Sequence, residues 1–167
     1  MKLTTRDENF IIRSASEGDV KIILGFIREL AIYENSLDQV EASVETLSKS
    51  LFIDKSAEVI IGEYKGKPVG FALFFHNYST WRANAGLYLE DLYIRPEMRG
   101  KGLGNIMLTF LAKLAQERGC TRFEWSCLDW NIASIEFYKS LGAQVMDEWT
   151  GYRLSGRNLE RLACKEL

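Results

Sequence analysis

The chain has 167 residues, 47% hydrophobic and 26% charged, enough to bury one sizeable core and ordinary for a globular protein. A formal net charge of −2 argues against nucleic acid as a partner, because phosphate binding wants a basic surface. There is no apolar run of about 18 residues, and the start "MKLTTRDENF" lacks the apolar core of a secretory leader, so no membrane partner is expected.

Cys120, Cys127 and Cys164 form no CxxC pair, which excludes a disulfide framework and fits reduced thiols in the cytoplasm. The single histidine, His76, cannot build a multi-histidine metal site, and its apolar run "FALFFHNY" reads as a strand, so no metal is expected.

The elements follow from periodicity. "FIIRSA" (10–15) reads as a strand, and Ser16 and Asp19 stand at capping-box spacing. The helix that follows lines up Val20, Ile23, Leu24, Ile27, Leu30 and Ala31 on one face. A weaker helix covers "SVETLSKSLF". "EVIIGEY" and "PVGFALFFHNY" are strands joined at Lys65-Gly66-Lys67, with the glycine where positive φ is expected. After "STWRANAG" comes the strand "LYLEDLYI" (87–94), then a helix from Gly104 that stops at Gly119. "TRFEWSCLDW" is a further strand, "NIASIEFYKSLGA" a helix, "VMDEWTGYRLS" a strand or hairpin, and "NLERLACKEL" a closing helix. With no linker or repeat, this order predicts a single α/β (α+β) domain over 1–167, a mixed sheet with helices on both faces.

The stretch "YIRPEMRGKGLGNIML" carries the chemistry. A helix start offers about four unpaired N–H groups and roughly half a positive charge. Gly100, Gly102 and Gly104 let an anion approach that backbone, and Arg99 and Lys101 add charge. This points to a bound phosphate or diphosphate; the alternative is a glycine-rich turn with solvated cations. A P-loop needs GxxxxGK followed by Ser or Thr, but Gly102 follows Lys101; the dinucleotide pattern GxGxxG fails at Asn105. What fits is R-x-x-G-x-G, Arg99 to Gly104.

That hexapeptide, together with "LYLEDLYIRPEMRGKGLG", "DWNIASIEFYKSLGA" and "IRELAIYENSLDQV", resembles the GNAT acyltransferase superfamily, in particular its spermidine/spermine (diamine) and thialysine N-acetyltransferase branch. The resemblance implies a GNAT-like, mostly antiparallel central sheet and acetyl-CoA as co-substrate. It also implies direct attack by a primary amine of a small cationic acceptor and a homodimer with its C-terminal segment against the partner. By the same resemblance, Leu92, Tyr93 and Ile94 pair with the pantetheine arm. Arg99, Gly100, Lys101, Gly102, Leu103, Gly104 and Asn105 cradle the diphosphate, and Asn131, Ser134 and Tyr138 give further coenzyme contacts. Asn131 is equally a natural N-cap.

An alkylammonium of pKa near 10.4 costs about 4.6 kcal/mol to deprotonate at pH 7, so a base is needed. Glu90, rare as a glutamate within a strand, matches the family's catalytic glutamate, acting through water; the alternative is an edge carboxylate facing solvent. Asp91 is expected on the opposite face in a structural role, capping or paired with an arginine. Tyr138 matches the general acid that meets the departing thiolate, where an ordinary pKa near 10 makes full transfer uphill by about 2 kcal/mol; the alternative is core packing beside Phe137. Tyr33, Glu34, Glu90, Glu124, Trp125 and Ser126 are the acceptor contacts implied, carboxylates and rings suited to ammonium groups. Where polyamine enzymes carry an acid before a Gly-aromatic pair, this chain has Thr150 before Gly151-Tyr152, a departure from polyamine preference unless Asp147 or Glu148 nearby takes that acid's place. Rival readings are a protein or peptide amine acetyltransferase, a non-catalytic acyl-CoA-binding module and a nucleotide-binding regulatory domain.

Overall fold

The computed structural model describes residues 2–5 and 7–165, and the chain divides into two compact units, residues 1–126 and 127–167. The first is a six-stranded sheet in sequential order, β1 (Lys2–Thr4), β2 (Phe10–Ser14), β3 (Glu58–Tyr64), β4 (Lys67–Ser79), β5 (Asn84–Ile94) and β6 (Phe123–Trp125). Neighbours are antiparallel except β5 and β6, which run parallel. Helices α1 (Val20–Tyr33), α2 (Val44–Ser48) and α3 (Leu103–Glu117) belong to this unit, and α2 runs on as a π-helical turn over Lys49–Ile53.

Strand and helix residues alternate as their periods require. Ile23 and Phe26 of α1 join Val59, Ile61, Phe71 and Tyr93 in one buried cluster, where the Phe26 and Phe71 rings stack at 5.6 Å. Each such fully buried side chain contributes about 1.5–3 kcal/mol. The other sheet face takes α3: at Gly62 the Phe10 ring and the Met107 sulfur close in so tightly that no Cβ fits. The expected capping pair holds: the Ser16 backbone N–H and hydroxyl both donate to Asp19 at 2.8 Å. Lys65 and Gly66 both have positive φ, the two-residue turn that matches strand twist. Gly119, with φ 69°, follows α3 as the expected left-handed stop.

Three elements depart from the sequence reading. A short β1 pairs with β2, adding an edge strand where none is expected. The strand expected over 121–130 is reduced to Phe123–Trp125: Thr121 and Arg122 still bond Ala85 and Leu87 of β5, but the pairing ends at Trp125. The strand or hairpin expected over 145–155 has no regular structure: its own unit contains no described strand to pair with, and an isolated strand is marginal in water. The second unit consists of α4 (Ile132–Ser140), this segment and α5 (Gly156–Ala163). The closing helix starts two residues earlier than read, and the last two residues of the expected helix, Glu166 and Leu167, lie outside the described residues.

Candidate active site

The helix mouth is built as the glycines require. Gly100 and Gly102 take φ of 75° and 73°, left-handed values that cost an L side chain about 1–2 kcal/mol. Gly102 is the N-cap of α3 and so offers no side-chain acceptor; the first helical bond runs from the Ile106 N–H to its carbonyl at 3.1 Å. Among the described residues, the N–H groups from Gly100 to Asn105 therefore have no protein acceptor. A Cβ added at Gly100, Gly102 or Gly104 would meet no atom within 4 Å, so open space lies over this backbone. Bare, aligned N–H groups beneath open space are what a diphosphate needs, and the residues fit the coenzyme on that ground.

The cations are placed beside the loop. The Arg99 guanidinium lies 4.5 Å over the Tyr33 ring and 5.8 Å from that of Tyr93, while its Nε donates to the Ile94 carbonyl at 3.0 Å. Lys101 lies 5.4 Å over Tyr64. Pairing of β5 with β6 ends at Leu89 and Trp125, yet β5 continues to Ile94. Leu92, Tyr93 and Ile94 thus keep one strand edge without a strand partner among the described residues, as an extended ligand arm requires.

The acids are arranged by a bulge. Leu73 of β4 faces Asp91 while its neighbour Phe74 faces Leu89, which leaves Glu90 as the extra residue of β5, exposed. In an unbroken strand Asp91 would share the face of Leu89, against α3. The bulge turns it instead to the face of Leu73 and Tyr93, where α1 packs. The structural role expected for Asp91 is corrected here: no described arginine or cap pairs with it. Burial, then the charges of Glu90 and Glu34, push its carboxyl up to about 6. Glu34, the residue that ends α1, is raised by burial as well, and Tyr33 before it is partly exposed.

Glu124 is otherwise engaged. It accepts from Asn77 at 2.7 Å and pairs with Arg122 at 2.8 Å, so its charge is balanced within the sheet. Trp125 packs tilted on Phe123 at 5.0 Å, and the Ser126 hydroxyl meets that of Tyr88 at 2.8 Å. A concavity of about 370 Å³ at the far end of α3, lined by Leu51, Phe52, Phe74 and Leu114, holds none of the site residues read from the sequence.

In the second unit, Asn131 caps α4 by accepting from the Ser134 N–H at 3.3 Å. Tyr138 is half-buried beside Phe137, and burial, followed by Cys127, pushes its hydroxyl up to about 12. Against a thiol near 8.5, full proton transfer from such a phenol is uphill by about 5 kcal/mol rather than 2. A hydrogen bond that strengthens as charge develops is the chemistry that remains.

Residues 12–143 match the family model described as the Acetyltransferase (GNAT) family. The thialysine N-epsilon-acetyltransferase of Sus scrofa is 40% identical over 93% of this chain and 98% of its own length. An L-ornithine N5-acetyltransferase of Arabidopsis thaliana is 38% identical over 74% of this chain and 52% of its own length. Among solved structures, an integron cassette protein of V. cholerae superposes with a TM-score of 0.80 at 27% identity, over 94% of this chain and 99% of that one. GNAT acetyltransferases use acetyl-CoA as co-substrate, and the sheet, glycine loop and open β5 edge have the form that co-substrate requires. The chain belongs to the GNAT acetyltransferase family and is an N-acetyltransferase.

Proposed function

We propose that this protein moves acetyl from acetyl-CoA to a primary amine of a small cationic acceptor, a thialysine- or ornithine-like amino acid or a polyamine. The reading rests above all on the N–H groups from Gly100 to Asn105 beneath open space, in a chain of this family. Those groups, with Arg99 and Lys101, hold the diphosphate; Leu92 to Ile94 hold the pantetheine arm; Asn131 and Ser134 add contacts. When bound, acetyl-CoA supplies an acetyl thioester. Tyr33, Glu34 and Glu90 draw in the ammonium, with Glu124, Trp125 and Ser126 as a second contact stretch. Glu90 accepts a proton through water, and Tyr138 donates to the departing sulfur.

The names of the relatives support a side-chain amine on an amino acid, and Thr150 before Gly151-Tyr152 weighs against a polyamine. A single acetyltransferase domain, a cytoplasmic place and a homodimer complete the proposal. For the dimer, Trp149, at 67% exposure, and Tyr152, at 94%, leave aromatic surface for a partner copy to cover.

The test is a panel of free amines (thialysine, ornithine, lysine, spermidine, putrescine) with thiol release as the signal, run beside a lysine-rich peptide. Turnover of free amines is expected, with Tyr138→Phe lowering kcat roughly 100-fold and changing the KM for acetyl-CoA little. Turnover of the peptide alone would assign a protein acceptor. CoA binding without turnover of anything would leave a binding module.

A further inference from the structure

We propose that Asp91 is the carboxylate that takes the proton from the acceptor amine directly, with Glu34 and Glu90 holding the ammonium beside it. This inference rests on the amine-acetylating reading above and alters it at one point: Asp91, which the sequence places in a structural role, takes over from Glu90 as the base, and Glu90 keeps only the part of holding the ammonium.

The geometry starts at the bulge. Because Glu90 is skipped in the pairing of β4 with β5, Asp91 faces the α1 side instead of the α3 core. That brings its carboxylate within electrostatic reach of Glu34, where α1 ends, and of Glu90 on its own strand. On β4 the residue opposite is Leu73, which is uncharged. Neither hydrogen bond nor ion pair reaches the Asp91 carboxylate among the described residues, and the charges that act on it, those of Glu90 and Glu34, are both negative. Such a carboxylate lacks only a cation. Glu90 is exposed, whereas Asp91 is half-buried, so Asp91 is the acid that the protein has partly stripped of water.

Desolvation and like charge both favour the protonated form, which is the direction a base needs. A carboxylate near 6 takes a proton from an alkylammonium with an equilibrium roughly 100-fold more favourable than one at 3.8, while still ionised at pH 7. The step balances simply. The ammonium gives one proton to the Asp91 carboxylate and keeps its lone pair. That pair forms the C–N bond as the C–S bond breaks and the C–S electrons go to the departing thiolate; the acetylated nitrogen then sheds its second proton to water, the thiolate takes one up, and Asp91 returns its own proton to water.

The experiment measures kcat/KM from pH 5 to 9 for the wild-type enzyme, Asp91→Asn, Asp91→Glu and Glu90→Gln, using the best free amine. CoA titration calorimetry on each variant reads folding and the coenzyme site independently. The wild type is expected to lose activity below a pH near 6. Asp91→Asn should lower kcat 100-fold or more and abolish that acid limb, with CoA affinity within twofold. Asp91→Glu should restore part of the rate with the limb displaced, and it decides the matter should the asparagine variant not fold. Glu90→Gln should raise the KM for the amine and keep the limb. Wild-type rate and limb in Asp91→Asn, or loss of the limb in Glu90→Gln alone, would overturn the assignment. A wild type inert toward every amine would overturn the broader reading instead, and this one with it.

Discussion

Gly104 separates what the fold needs from what a ligand needs. It is the second residue of α3, its φ lies outside the left-handed region, and an added Cβ would meet nothing within 4 Å. For the chain alone, then, alanine is the better residue: Gly104→Ala should stabilise the protein by about 0.5–1 kcal/mol, a rise of roughly 1–4 °C in Tm for a chain this long. For a diphosphate drawn to these N–H groups the sign reverses. The new methyl stands in the space where phosphate oxygens come within about 2.9 Å of the backbone. Losing one charge-assisted hydrogen bond, at about 1.5–3 kcal/mol, weakens CoA roughly 10- to 150-fold. Scanning calorimetry without ligand reads the first effect, and titration calorimetry with CoA reads the second. Higher Tm with weaker CoA is the expected pair. Higher Tm with unchanged CoA affinity would show that this glycine serves no ligand; a lower Tm would show that its helical environment has been misjudged.

Two predictions concern the frame behind the site. Asp19 accepts two 2.8 Å hydrogen bonds from Arg13 and one from the Ser16 N–H, and Arg13 first of all holds its carboxyl well below the usual range despite burial. Its contribution is thus complete above the ordinary aspartate pKa of 3.8 and fades as pH falls below it. Discounted for the partial exposure of Arg13, Asp19→Asn should cost about 2–3 kcal/mol in urea unfolding at pH 7 and less at pH 2.5; an equal gap at both would refute the linkage. At Gly70 an added Cβ would collide with the Tyr93 carbonyl and the Ile94 side chain, so Gly70→Ala should cost about 3 kcal/mol and weaken CoA by displacing the open β5 edge. Unchanged stability would mean that β4 yields without strain.

Much of the frame was legible because its signals are local. The stripe from Val20 to Ala31 gave α1, alternation gave β3 and β4, and Lys65-Gly66 gave the turn. The glycine loop was legible because missing side chains and positive φ are written in residue type. What escaped was set by partners. Alternation in 145–155 could not reveal that this segment forms no described strand, and nothing in "LYLEDLYI" marks Glu90 as the residue that pairing skips. That single slip decided which acid faces which side, so the role expected for Asp91 followed from a register the sheet does not keep. Two consecutive acids inside an apolar strand were the available signal, and they raised the question without ordering the pair.

The glycine loop and the C-terminal end of α1 are also joined by contacts within the first unit. Arg95, just past β5, forks onto Glu29 at 2.9 and 3.1 Å, and Arg99, one loop turn later, lies over Tyr33. Glu29 and Tyr33 are four residues apart on α1, hence on one helix face, and the two arginines are four apart on the chain that leads into α3. Arg95 is held by an ion pair, Arg99 by the Tyr33 ring and the Ile94 carbonyl at 3.0 Å, and Arg99 is the one that stands next to the bare N–H groups of the loop. On the coenzyme reading proposed above, an anion that draws Arg99 toward α3 takes it away from the Tyr33 ring, so a change at the loop is expected to be felt at the last turn of α1. The Arg95–Glu29 ion pair, one turn earlier on α1, would keep the helix anchored through such a change.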